Sequence, residues 1–214
     1  MGRSTRGYRL LLLVGLLILV IDQGTKYLAV SRLTGVLEGK SGLARVGAFY
    51  AASSPFAGER GRAVEGYTVL ENYWNFRYVE NPGAAWGLWA NLPDRFRQPF
   101  FLGVSVLALG FISFMYSRLT EAQRYLRAAL SLVMGGAVGN FVDRLIRGYV
   151  IDFIDWHWRD APGLRWPTFN VADVAISVGV ALILAESLRA RAASDGHEAL
   201  GGVGLAPGAG SRSA

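Results

Sequence analysis

Two aspartates stand in apolar surroundings, Asp152 in "YVIDFIDW" and Asp173 in "FNVADVAISVGVALILA". An ionisable side chain beside a run suited to a bilayer is costly, and by default it marks a functional site. The two acids flank one linker at its helix-proximal ends, so both can lie at the same depth. Two carboxylates brought close cannot both ionise cheaply: one keeps its proton and its pKa rises. The ionised one can then take a proton from water as general base. The protonated one can hydrogen-bond to a carbonyl and later supply a proton to a leaving amine. That is peptide hydrolysis of the aspartic-protease kind, with no metal or cofactor required. Structural ion pairs or the proton relay of a transporter would use the same residues.

Further polar groups gather near the ends of the apolar runs. Asp22 and Lys26, in "IDQGTKYL", are at i and i+4 and share a helix face, where a local ion pair is sufficient explanation. Asn140, Asp143 and Arg144 close the third apolar run in "GNFVDR", and Asn170 precedes Asp173 by three. Asp155 follows Asp152 by three and would face Arg159 on a helix, which reads as surface charge. There is no cysteine, so disulfides and thiolate metal sites are excluded. With two histidines, His157 and His197, a histidine-rich metal centre is not expected, and no serine stands in an obvious nucleophile motif.

The elements that must position these residues are membrane helices. The chain has 214 residues, 52% hydrophobic and only 18% charged, where a soluble domain usually has about 25%. The net charge of +6 comes from arginines beside apolar segments, a topology signal and not a nucleic-acid face. Four apolar segments predict transmembrane helices over about 9–30, 99–117, 126–143 and 170–189. The first, behind Arg3, Arg6 and Arg9, also fits the pattern of a signal peptide, but no convincing small-x-small cleavage site follows it and three more apolar segments do. Arginines in the amino tail and at Arg118, Arg124 and Arg127 predict that both termini are cytoplasmic. Residues 31–98 and 144–168 then lie outside. The aromatic and β-branched residues of "ENYWNFRYVENPGAAWGLW" predict short strands in an outer β-rich segment over about 36–92, with Trp74, Trp86 and Trp89 suited to an interfacial belt or to strand packing. Gly135, Gly136, Ala137 and Gly139 suit either close helix approach or space for lipid chains. Residues 1–190 read as one integral membrane domain, and 191–214, rich in Gly, Ala and Ser, as a disordered tail. The fold class is membrane α-helical, four spans with a small extracytoplasmic β-rich segment.

Taken together, "DQGTK", "NPGAAWG", "GNFVDR…GYVIDF" and "FNVAD" resemble the bacterial lipoprotein signal peptidases, or signal peptidase II, over roughly residues 8–188. The resemblance implies an aspartic endopeptidase of the bacterial inner membrane, with its site at the outer face. Such enzymes cut prolipoproteins before a diacylglyceryl-modified cysteine. It implies Asp152 and Asp173 as the catalytic pair, and Asn140, Asp143, Arg144 and Asn170 as polar supports, with Asp143 paired to Arg144. It also implies that Asp22, Lys26, Asn81, Gly83 and Ala84 line or brace the site. It further implies membrane lipids as partners, globomycin-type inhibitors, no cofactor and a monomer. Two departures stand out: a longer outer stretch over about 37–66, and Trp86 where the family usually has phenylalanine.

Overall fold

A computed structural model describes residues 6–51, 64–83, 93–159 and 164–201. Its elements in chain order are α1 (Arg6–Leu33), α2 (Gly42–Tyr50), β1 (Val64–Leu70), β2 (Trp74–Asn81), α3 (Asp94–Arg118), α4 (Arg124–Arg147), β3 (Val150–Trp156) and α5 (Val171–Gly201). Among the described residues, four helices are long and apolar enough to cross a membrane: Tyr8–Leu33, Asp94–Arg118, Arg124–Arg147 and Val171–Ala193. They leave leucines such as Leu12, Leu13, Leu107 and Leu184 exposed. Exposed apolar helix faces of this extent are what lipid, and not water, would cover.

Helix α4 is central, packing on α1, α3 and α5. Its small residues explain how. A Cβ on Gly135 would lie 2.7 Å from Ile18 Cβ, one on Gly136 2.3 Å from the Ala172 carbonyl oxygen, and one on Gly139 2.5 Å from Asp22 Oδ2. In lipid, helix association relies on packing contacts, and small residues let backbones approach. Of the two readings left open for these glycines, close helix packing is the one realised.

The helices end later than the sequence pattern suggested. α4 runs on through Asp143 and Arg144 to Arg147, because the charges that looked like a terminus are turned inward and paired. Gly148, in the left-handed conformation (φ 75°), then closes the helix and donates its N–H to the Arg144 carbonyl. α3 starts at Asp94 and contains Pro99. The missing N–H of Pro99 deprives only the carbonyl of Arg95, an exposed residue near the helix start. α5 continues to Gly201, so residues 191–201 are helical and not a disordered tail. The Ala, Arg, Glu and Leu residues there are strong helix formers.

The outer segment also differs from the expected β-rich stretch over 36–92. Residues 42–50 form α2, and the strands begin only at Val64. α2 is tied down by tertiary contacts that no local pattern reveals: Arg45 donates to Tyr27 Oη (2.6 Å) and Ser31 Oγ (2.7 Å). Phe49 enters a buried cluster with Val30, Leu37, Tyr78, Tyr149 and Ile151. The three strands form one antiparallel sheet in the order β1-β2-β3. β3 comes from the linker 144–168, outside the stretch where the sequence predicts strands. It pairs with β2 so that Val79 faces Asp152 and Asn81 faces Val150. Trp86, Trp89 and Ala84 lie outside the described residues.

Gly136→Ala is expected to force α4 from α5 and lose about 1–3 kcal/mol of stability. Gly110→Ala in α3, with nothing within 4 Å of its added carbon, should stay within about 0.5 kcal/mol of wild type. Thermal unfolding of both variants in detergent checks this; equal midpoints would mean that α4 and α5 do not meet at Gly136.

Candidate active site

The site is built on a buried charge cluster. Lys26 on α1 is fully buried, and its ammonium reaches Asp22 Oδ2 and Asp143 Oδ2 (2.8 Å each) and Asn140 Oδ1 (3.1 Å). Asp22 also accepts the N–H of Ala172 (3.0 Å), one of the orphan donors at the start of α5. Asp143 accepts from the Arg147 guanidinium, from the Ile151 N–H (3.3 Å) and from Gln23 Nε2 (3.2 Å). Arg147 in turn donates to the Phe49 carbonyl of α2 (3.2 and 3.1 Å) and stacks on the Phe49 ring. One cluster therefore fixes α1, α2, α4, the start of α5 and the start of β3.

The expected Asp143–Arg144 pair is not formed. Neighbouring helical residues point about 100° apart, so Asp143 faces α1 while Arg144 faces the acids. Arg144 donates to the Asn140 carbonyl (3.3 Å), lies over the Phe101 ring and interacts through charge most strongly with Asp173, then Asp152. Arg147 is the partner that sequence reasoning missed. Its signal was available, since Asp143 and Arg147 stand at i and i+4.

Asp152 and Asp173 arrive on different elements. Asp152 is buried in β3, and Asp173 lies in the first turn of α5. The intervening chain returns along β3, with Phe169 bridged to Ile154 by hydrogen bonds of 2.8 and 3.0 Å in both directions. That return sets Asn170 beside Asp152. Asn170 and Asp173 then cap α5 reciprocally: Asn170 Oδ1 accepts the Asp173 N–H (3.0 Å), and Asp173 Oδ2 accepts the Asn170 N–H (3.1 Å). This is a capping box with amide and carboxylate in the two roles.

Two asparagines join the acids. Asn170 Nδ2 donates to Asp152 Oδ1 (2.7 Å) and Asn140 Oδ1 (3.1 Å), while Asn140 Nδ2 donates to Asp173 Oδ1 (2.8 Å). The Lys26 ammonium has only donors, so Asn140 must turn its oxygen to Lys26 and its NH2 to Asp173. On the far side, Asn81 Nδ2 reaches Asp152 Oδ2 (2.9 Å), and Asn81 Oδ1 accepts the N–H of Gly83 (3.1 Å). Burial, and next the charge of Asp173, push the Asp152 carboxyl up to about 8, against the opposing pull of its amide donors. The geometry thus offers a protonated acid and a second carboxylate within one hydrogen-bonded group.

Asp155, read from sequence as surface charge, is fully buried in β3, with Arg77 Nη2 at 3.1 Å, His157 Nδ1 at 3.5 Å and Arg165 Nη1 at 3.6 Å. The strand, not a helix, decides its direction. Among the described residues no three His, Asp or Glu side chains are grouped to hold a metal ion.

The sequence model described as Signal peptidase (SPase) II matches residues 14–189. The chain belongs to the signal peptidase II family. It is 49% identical over 177 residues to the lipoprotein signal peptidase of Anaeromyxobacter sp. (strain Fw109-5), covering 83% of each chain. It is 36% identical to that of Syntrophotalea carbinolica, over 83% of this chain and 89% of the relative. A bacterial membrane enzyme solved by the in meso method at 2.3 Å shares the fold, with a TM-score of 0.58 and 26% identity over 84% of this chain and 87% of that one. The protein is therefore a multi-pass membrane enzyme of a peptidase family that removes signal peptides from prolipoproteins.

Lys26→Met is expected to leave the buried Asp22 without a cation, and Asp143 with Arg147 alone, and to cost about 3–5 kcal/mol. Loss of folded protein in size-exclusion and thermal-unfolding assays checks this. A variant that unfolds like wild type would show that the cluster does not hold the helices.

Proposed function

We propose that the chain cleaves prolipoproteins just before a diacylglyceryl-modified cysteine, with Asp152 and Asp173 activating one water. The observation that carries this reading is the asparagine-linked pair, one member buried with a raised pKa and the other in the first turn of a helix. Asp173 takes a proton from the water as its oxygen attacks the scissile carbonyl carbon. Asp152 gives its proton to the carbonyl oxygen, forming a neutral tetrahedral diol. The C–N bond then breaks as the departing nitrogen receives the proton held by Asp173. A diol proton returns to Asp152 as the carboxylic product forms, so the pair regains its single proton. Peptide and water become acid and amine, with nothing else consumed.

Asn140, Asn170 and Asn81 hold the two carboxyls, and Arg144 steadies the negative charge of the pair. Asn81 and Gly83 begin the loop that cradles the substrate backbone. Membrane lipids surround the spans, globomycin-type compounds compete for the site, and the enzyme acts as a monomer. It resides in the bacterial inner membrane with both termini cytoplasmic. Four spans and the arginine bias support this orientation. The sheet and the pair then lie at the outer face, where a lipid-anchored cysteine holds its scissile bond.

Purified protein should cut a diacylglyceryl-modified prolipoprotein, and Asp152→Asn and Asp173→Asn should each lose at least about 10²–10⁴-fold in rate while remaining folded. Near-wild-type cleavage by either variant would remove that residue from the mechanism. pH supplies a second check. A carboxyl raised to about 8 keeps a proton that the unfolded chain loses near pH 4, so stability falls as pH rises between these values. Thermal midpoints of wild type should decline from about pH 5 to about pH 8, and Asp152→Asn should flatten that slope. Cleavage should fall as pH passes about 8, as the pair loses its shared proton. A pH-independent difference between the two midpoints would mean that Asp152 is ionised in the folded enzyme.

A further inference from the structure

A cavity of about 540 Å³ lies on the other side of β3 from the aspartates, within the roughly 300–1,000 Å³ typical of small-molecule sites. Successive strand side chains point to opposite faces, so Phe153 turns into this cavity while Asp152 turns to Asp173. Phe76 of β2 and Tyr67 of β1 complete the sheet side. α1 supplies the opposite wall with Thr25, Leu28, Ala29, Arg32 and Leu33, a stripe that does not include Asp22 or Lys26. Thr25 has no free hydroxyl to offer: its Oγ1 donates back to the helix, within 2.8 Å of the Ile21 carbonyl and 2.9 Å of that of Asp22. The α1 wall therefore offers no free polar group besides Arg32. At one end stands Arg32, exposed, in the last turn of the span and without an ion pair or hydrogen bond among the described residues.

We propose that this groove binds an anionic glycerophospholipid of the surrounding bilayer, an acyl chain along Leu28, Phe76 and Phe153 and the phosphate on Arg32. Three observations select this occupant. The wall belongs to a membrane-spanning helix, so bilayer lipid is the solvent at its open side. Leu28 and Tyr67 are 56% and 68% exposed, leaving the apolar part accessible from that side. A single cationic residue at the end of an apolar slot complements a lipid with one anionic head. Guanidinium and phosphate match in a two-point hydrogen-bonded geometry. The site does not depend on the peptidase chemistry, since no residue of the aspartate group lines it.

The test is native mass spectrometry of delipidated protein in detergent, titrated with phosphatidylglycerol or with phosphatidylcholine of the same chains. One phosphatidylglycerol should be retained about fivefold more tightly, the effect of one arginine on an anionic head. Arg32→Gln should abolish that preference while keeping chain binding. Leu28→Trp, which fills the slot, should weaken retention of both lipids. Thermal unfolding establishes that each variant is folded. Equal retention of the two lipids by wild type, an undiminished preference in Arg32→Gln, or wild-type retention by Leu28→Trp would each overturn the assignment. Excess diacylglyceryl-modified peptide should leave the bound phosphatidylglycerol in place. Its displacement would give the groove to the substrate's own lipid and overturn the proposal as well.

Discussion

Two carboxylates and two cations, all withdrawn from water, meet where the helices converge, and the rest of the structure depends on their neutrality. Asp22 and Asp143 balance Lys26 and Arg147. Taking such ions out of water costs several kcal/mol each unless geometry and added hydrogen bonds compensate. Here the remaining lone pairs accept backbone N–H groups, from Ala172 for Asp22 and from Ile151 for Asp143. Those two donors begin α5 and β3, the elements that bear Asp173 and Asp152. The same interactions that neutralise the buried ions thus set the height and direction of both acids.

Orientation follows from the cluster as well as position. An asparagine side chain can be turned either way with little steric difference, yet only one orientation presents its NH2 to a carboxylate. The Lys26 ammonium removes the ambiguity at Asn140, and Asn140 removes it at Asn170, whose own oxygen is taken by the Asp173 N–H. A chain of donors therefore runs from a buried cation to the aspartate pair. Such a network is costly when partly satisfied and rigid when complete, which suits a site that must hold two carboxyls close together.

Close packing makes the cluster possible. Asp22 can reach the start of α5 past α4 only because residue 139 is glycine, and α4 can approach α5 only because residue 136 is. The sheet performs the complementary task on the outer side. Pairing of β2 with β3 brings Asn81 against Asp152, while the return strand at Phe169 brings Asn170 to the same carboxyl. Helices bring the charges together, and strands complete the hydrogen bonding.

The sequence by itself determined the four spans, since long apolar runs are a property of composition along the chain. It also singled out Asp152, Asp173, Asn140, Asn170, Asp22 and Lys26, because polar groups beside such runs demand partners. Their motifs, read together, pointed to the family. Helix ends were misplaced where charge was taken for a terminus, as at Asp143, because local charge does not reveal whether a partner such as Arg147 or Lys26 will neutralise it inside. α2 and β3 escaped notice for the same kind of reason. Each is held by contacts between residues distant in sequence: Arg147 to Phe49 for α2, and strand pairing with β2 for β3. Asp155 looked like surface charge on an assumed helix, but it lies in a strand buried on both faces, beside Arg77 of the neighbouring strand. Local pattern fixes which residues need company; which company they keep is decided when distant segments pack, because hydrogen bonds and ion pairs depend on separation in space and not along the chain.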